Sequence, residues 1–203
     1  MLNSHPFVGA ALASLACIAA LAAAADTHAA EAYVGANLAS RSSTKPSCSG
    51  GTNCERPGNA GGKVTGGYLA DLPPVSGVQL AQGVEVMAYS LGLGKALLPG
   101  TSGPRPGSIK NKGVGITHVL QASFGDTILA TRVGLAYSRG QIDYAAGASS
   151  SRDAIVPLLG LGVHYSLSRN WVLNADWDRL PVKYKDALKI TVNMFSIGVS
   201  YKF

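Results

Sequence analysis

The chain has 203 residues, with seventeen Lys and Arg against eleven Asp and Glu for a formal net charge of +6, 25 glycines and three cysteines. Less an exported leader, that length suits one domain, and no later apolar run is long enough for a transmembrane helix, so any membrane crossing must be made by strands. The basic excess comes without a nucleic-acid-binding motif, and no phosphate-binding loop, dinucleotide fingerprint or metal-spaced cluster is present; nucleic acid, cofactor and metal are therefore not expected.

From Phe7 to Ala25 the residues are almost wholly small or apolar, and Thr27-His28-Ala29-Ala30 follows with the small residues a signal peptidase cuts beside. The expectation is a cleavable signal peptide over 1–30, cut after Ala29 or Ala30, and a single domain over 31–203. The first seven residues hold no Lys or Arg, so the terminal amine alone supplies the positive end. Cys17 leaves with the leader. Cys48 and Cys54 remain, closing the Gly-rich stretch Cys48-Ser49-Gly50-Gly51-Thr52-Asn53-Cys54. In an oxidising compartment such a pair is expected to form a disulfide rather than a metal site, which would need further ligands.

Side chains of a strand alternate between its two faces, and eight stretches show that alternation. The first, Glu31 to Ser40, sets Val34, Ala36 and Leu38 against Tyr33, Gly35 and Asn37. A Ser, Gly and Asn-rich connection, 41–62, leads to the second, Lys63 to Ala70, which is expected to turn through Asp71-Leu72-Pro73-Pro74. The third is Val78 to Leu91. The Pro-containing stretch 92–113 is expected to be a loop, and it holds Lys95, Arg105, Lys110 and Lys112 with no acid. Val114 to Phe124 and Thr127 to Arg139 form a hairpin across the tight Gly125-Asp126 turn. Ile155 to Leu167 and Trp171 to Leu180 are joined by Ser168-Arg169-Asn170. The last, Ile190 to Phe203, alternates strictly, with Phe195, Ile197, Val199, Tyr201 and Phe203 on one face and Ser196, Gly198, Ser200 and Lys202 on the other.

A large apolar face opposite a small, polar one suits a narrow barrel with lipid outside and a watery lumen. Long connections after the first, third, fifth and seventh strands share one end, and tight turns occupy the other. The expected fold is all-β, an eight-stranded antiparallel up-and-down transmembrane β-barrel. The same parity puts Glu85, Arg132 and Asp176 inside, where an ion network would satisfy them; a base on the lipid face would cost about 2–4 kcal/mol at the midplane. The basic loop patch Lys95, Arg105, Lys110 and Lys112 would meet lipopolysaccharide phosphates or another surface polyanion.

The stretches Ala32-Tyr33-Val34-Gly35-Ala36-Asn37-Leu38, Lys63-Val64-Thr65-Gly66-Gly67-Tyr68, Gly83-Val84-Glu85-Val86, Arg132-Val133-Gly134-Leu135-Ala136-Tyr137, Gly160-Leu161-Gly162-Val163, Asn174-Ala175-Asp176-Trp177-Asp178-Arg179 and Phe195 to Phe203 run in order over most of the chain after the leader. Together they resemble the outer membrane protein A type of eight-stranded barrel. The resemblance implies residence in the cell outer membrane, a lumenal salt-bridge cluster at Glu85 and Arg132, and a terminal strand whose Tyr201 and Phe203 are read by the barrel-assembly machinery. Ala88, with Tyr89 after it, departs from the aromatic the family carries three residues beyond the strand-three acid, which leaves the register at the top of that strand open. No peptidoglycan-binding domain follows the barrel, so cell-wall anchoring is not expected.

The function expected is that of a monomeric, non-catalytic integral barrel in contact with outer-membrane lipid and lipopolysaccharide, making surface contacts through its loops. One alternative is a small porin-like diffusion channel, which eight strands hardly permit. Another is a lipid A deacylase-like enzyme built on His164, Ser166 and Asp178, in which a base beside a hydroxyl is oriented by an acid. Position counts against that enzyme, since Ser166 lies beside a short turn and Asp178 nearer the other end of its strand. His118 is read as structural.

Overall fold

The computed structural model describes residues 30–43, 60–98, 105–144, 149–183 and 189–203. Its eight strands are β1 (Ala30–Ser43), β2 (Ala60–Val75), β3 (Val78–Leu98), β4 (Arg105–Phe124), β5 (Thr127–Tyr144), β6 (Ser149–Ser166), β7 (Trp171–Lys183) and β8 (Lys189–Lys202). Each pairs antiparallel with the next, and β8 pairs with β1 to close the barrel. The register can be followed once round, from Ala32 through Tyr68, Val84, His118, Val133, Leu159, Arg179 and Asn193 to Ser42. The row thus returns to β1 ten residues up. That stagger tilts the strands by about 35–45° and leaves an interior that side chains can fill.

Alternation places every strand's two faces. On β6, Val156, Leu158, Gly160, Gly162 and His164 are buried while Ile155, Leu159, Leu161, Val163 and Tyr165 are exposed. On β8, Phe195, Ile197 and Val199 point out and Ser196 and Ser200 point in. An outward face made of such residues would be an error in water and is the expected coat in lipid. At the short-turn end Tyr201 stacks edge-on with Trp171 and Phe203, at ring separations of 5.2 and 5.3 Å, an aromatic cluster suited to the membrane interface.

Three sequence expectations are corrected. The β2–β3 turn is at Ser76-Gly77, not at 71–74: both turn residues have positive φ (50° and 83°), as the favoured two-residue hairpin turn requires. Pro73 and Pro74 fall instead in a register shift between Leu72 and Val75, where proline's missing N–H costs the ladder least. Second, the stretch 92–113 is not a loop through most of its length. β3 continues to Leu98 and β4 begins at Arg105, with a register shift between Leu91 and Leu93, so the hairpin stands well above the lipid-facing rows. Third, the upper lumen is not watery, as described below. The leader 1–30, apart from Ala30, and the Cys48–Cys54 pair lie outside the described residues.

Candidate functional site

Inward-pointing side chains fall into three layers. Nearest the short turns, Tyr33, Leu69, Val119, Ile128, Ala130 and Val172 are buried together with Gln121, Asn174 and Ser200. Nearest the long connections, Met87, Tyr89, Leu91, Val156, Leu158, Leu180, Val182, Val192 and Met194 form one apolar cluster. Between them lies a belt of charge.

The belt brings together Glu85, Arg132 and Asp176, and adds members. Arg132 on β5 reaches Asp176 through Nη2 at 2.6 Å and Glu85 through Nε at 3.0 Å, with Asp178 3.5 Å from Nη1. Lys63 on β2, whose side chain is wholly buried, donates to Asp176 Oδ2 at 2.9 Å and Asp178 Oδ2 at 2.8 Å. His164 Nε2 lies 2.9 Å from Asp176 Oδ1, Asn37 donates to Asp176 Oδ2 at 3.0 Å, and the Tyr33 hydroxyl donates to Glu85 Oε2 at 2.7 Å. Three carboxylates, Glu85, Asp176 and Asp178, thus share Lys63, Arg132, Tyr33, Asn37 and His164. Charges withdrawn from water survive when paired and hydrogen-bonded. Across six strands every charge of this belt has an ion-pair partner and at least one hydrogen bond, while among the described residues Glu85 Oε1, Arg132 Nε and Nη1 and Asp178 Oδ1 make no hydrogen bond of their own.

Room for it is made by two glycines of β6. A Cβ at Gly160 would stand 2.5 Å from Asp178 Oδ1, and one at Gly162 would stand 2.5 Å from Asp176 Oδ1 and 2.7 Å from His164 Nε2. Below the belt a residual cavity of about 20 Å³ touches Glu85, Arg132, His164 and Asp176, space for about one water. Lys63, Asp178 and Asn37 carried a legible signal, since each shares the inward parity of its strand. Nothing in the sequence showed that they stand at one height.

The proposed hydrolytic trio is not assembled. His164 Nε2 is engaged by Asp176 and by Arg132 Nη2 at 3.3 Å, and Asp178 is held by Lys63. Ser166 is placed by its backbone N–H on the Asp126 carbonyl at the short-turn end. His118 points outward from β4, between Ile116 and Leu120 on the lipid face.

On the outside of the tall wall, where the apolar rows end, Lys110, Lys112 and Arg139 line a cleft of about 340 Å³ together with Ser90, Asn111 and Gln141. Arg139 lies in register with Lys112 and is 3.6 Å from Asp153, while Lys110 is 3.0 Å from Asp143. Gln141 donates to Asp143 at 2.8 Å, and this bond, with the Lys110 ammonium, holds the Asp143 carboxyl below its usual range. Of the predicted basic patch, Lys110 and Lys112 are here. Lys95 stands in register with Ser108, and Arg105 with Leu98, higher in the same hairpin. Tyr201 near the end of β8 and Phe203 just after it belong to the aromatic cluster described above.

Residues 9–203 match the family model of the outer membrane protein beta-barrel domain. No curated protein matches the chain. Among solved structures it is similar to neisserial surface protein A, at 17% identity and a TM-score of 0.52, over 86% of this chain and 97% of that one. It is also similar to Ail, the attachment invasion locus protein of Yersinia pestis, at 13% identity and a TM-score of 0.50, again over 86% and 97%. Likeness at such identities speaks for the fold. With the family model spanning nearly its whole length, the chain belongs to the outer membrane protein beta-barrel domain family.

Proposed function

We propose that this chain is a closed, non-conducting and non-catalytic barrel of the outer membrane that binds phosphate- or sulfate-bearing polyanions, lipopolysaccharide first among them, at the rim of its tall wall. The observation that carries the reading is the cleft bounded by Lys110, Lys112 and Arg139 directly above the lipid-facing rows. Three cations at that height, Lys110 and Arg139 sharing theirs with Asp143 and Asp153, meet the phosphates of the outer leaflet, and a recess holds an anion better than a flat face because its walls exclude water. Closure is supported by the lumen, where a paired charge belt lies between an apolar upper layer and a lower layer of apolar and polar side chains. Against catalysis stands the capture of His164 by Asp176 rather than by a hydroxyl.

Retention of the purified barrel on lipopolysaccharide-bearing liposomes tests the reading. Lys110→Gln combined with Arg139→Gln should weaken retention strongly at low salt and less in 0.5 M salt, where the Debye length falls to roughly 4–5 Å. Undiminished retention by the double variant would sink it. Conductance steps in planar bilayers would reinstate the channel, and Ser166-dependent loss of acyl chains from lipid A would reinstate the enzyme.

A further inference from the structure

The ladder between β6 and β7 is shorter than either strand. β6 pairs with β5 as far as Ser149, and β7 pairs with β8 as far as Lys183. Among the described residues, however, β6 and β7 pair with each other only from Ser166 and Val172 to Leu159 and Arg179. Two residues further along the same register, Pro157 would stand opposite Pro181. Proline has no N–H to give a ladder and belongs at sheet edges, so both strands present an edge at one level.

On the β6 side that level lies in lipid, while on β7 the exposed, outward Arg179, two residues below Pro181, marks the headgroup boundary. Ile155, just above Pro157 on the outward face, is 69% exposed, and the β5 partners of Pro157 and Ile155 are the outward Leu135 and Tyr137. The next outward step is the charged pair of Arg139 and Asp153. Open sheet edges are avoided in hydrocarbon because their backbone groups find no partner there. Here the wall is closed by side chains instead. Leu158 and Leu180 are fully buried and Val156 and Val182 nearly so, all within the apolar cluster that fills the upper lumen.

We propose that the β6/β7 seam is a lateral mouth through which one acyl chain of an outer-leaflet lipid inserts into the upper lumen. The occupant follows from the setting. Its mouth has hydrocarbon on the β6 side and the outward Arg179, a partner for a lipid headgroup phosphate, on the β7 lip, and the chamber behind it is apolar, with Met87 and Met194 as flexible side chains that repack around an inserted chain. The floor is the charge belt, which begins where Asp178 and Arg132 pack against Gly160 and closes the lower lumen to hydrocarbon. Among the described residues, opening the seam breaks no β6/β7 ladder bond above Leu159, only the packing of leucine and valine across it. This inference does not depend on the polyanion reading, and either can fail alone.

The test is photolabelling in phosphatidylcholine vesicles doped with a phospholipid that carries a diazirine on one acyl chain, followed by mass mapping of the adducts. The wild-type barrel should give adducts on inward Leu180, Met194 or Met87 as well as on outward Leu161 and Ile197. In a background with Cys48 and Cys54 changed to Ser, Pro157→Cys with Pro181→Cys should lose the inward adducts once a short bismaleimide bridges the seam, and keep the outward ones. Heat-modifiable migration establishes that each variant is folded. Absence of inward adducts in the wild type, or inward adducts that persist in the bridged barrel, would overturn the proposal.

Discussion

Lys63 is the residue on which the charge belt turns, because from β2 it bridges Asp176 and Asp178, 113 and 115 residues away in the chain, opposite Arg132 on β5. Lys63→Met leaves Glu85, Asp176 and Asp178 to share the Arg132 guanidinium alone in a buried site, and is expected to cost about 3–5 kcal/mol, read as a lower urea midpoint in detergent micelles. Gly162→Ala tests the same belt from the wall. With a methyl group at 2.5 Å from Asp176 and 2.7 Å from His164, it should cost about 1–3 kcal/mol, while Gly125→Ala, which has nothing within 4 Å, should act only through its positive φ. At the rim, Asp143→Asn should raise retention on lipopolysaccharide at neutral pH by releasing Lys110. The sign for stability is opposite. Because the folded Asp143 carboxyl is held below its usual range, its contribution is complete above that range and is lost as pH falls through the lowered value.

Strand parity makes sharp claims about single elements. Ile197 is 66% exposed on β8, in register with outward Leu38 and Ala175, so Ile197→Arg should cost about 2–4 kcal/mol through burial of charge in lipid. The neighbouring Ser196 points inward, and Ser196→Ala should stay close to wild type, so the pair separates a lipid effect from general disturbance of the strand. In the β2–β3 hairpin, Gly77→Ala meets no side chain yet must hold φ near 83°, and should lower stability by about 1–2 kcal/mol. This turn also marks where reading by composition failed. Pro73 and Pro74 look like punctuation, but a bulge tolerates them as well as a turn does, and Ser76-Gly77 supplied the backbone geometry that closes a hairpin. In the β3–β4 hairpin, prolines and glycines again suggested a loop, while a register shift beside Gly92 allows pairing to continue to Leu98.

For the molecule as a whole, the alternating layers of the lumen make conductance hard to create. Met194→Ala should open a cavity and cost about 2–5 kcal/mol while leaving the bilayer silent, since the belt and the packed lower layer still block the axis. Current steps from Met194→Ala alone would show that the belt does not seal. What the sequence by itself determined was local: eight strands, which residues of each face lipid, and therefore that Glu85, Arg132 and Asp176 lie inside. These follow from the covalent backbone, whose side chains alternate whatever the neighbours do. Height is different. It depends on the register of eight successive pairings and on the ten-residue stagger at closure, so only the tertiary structure decided that Lys63, His164 and Asp178 share a level with that trio. Only it decided, too, that the inward Met and Leu side chains gather into a dry upper chamber, and that the wall beside this chamber lacks a ladder between Pro157 and Pro181.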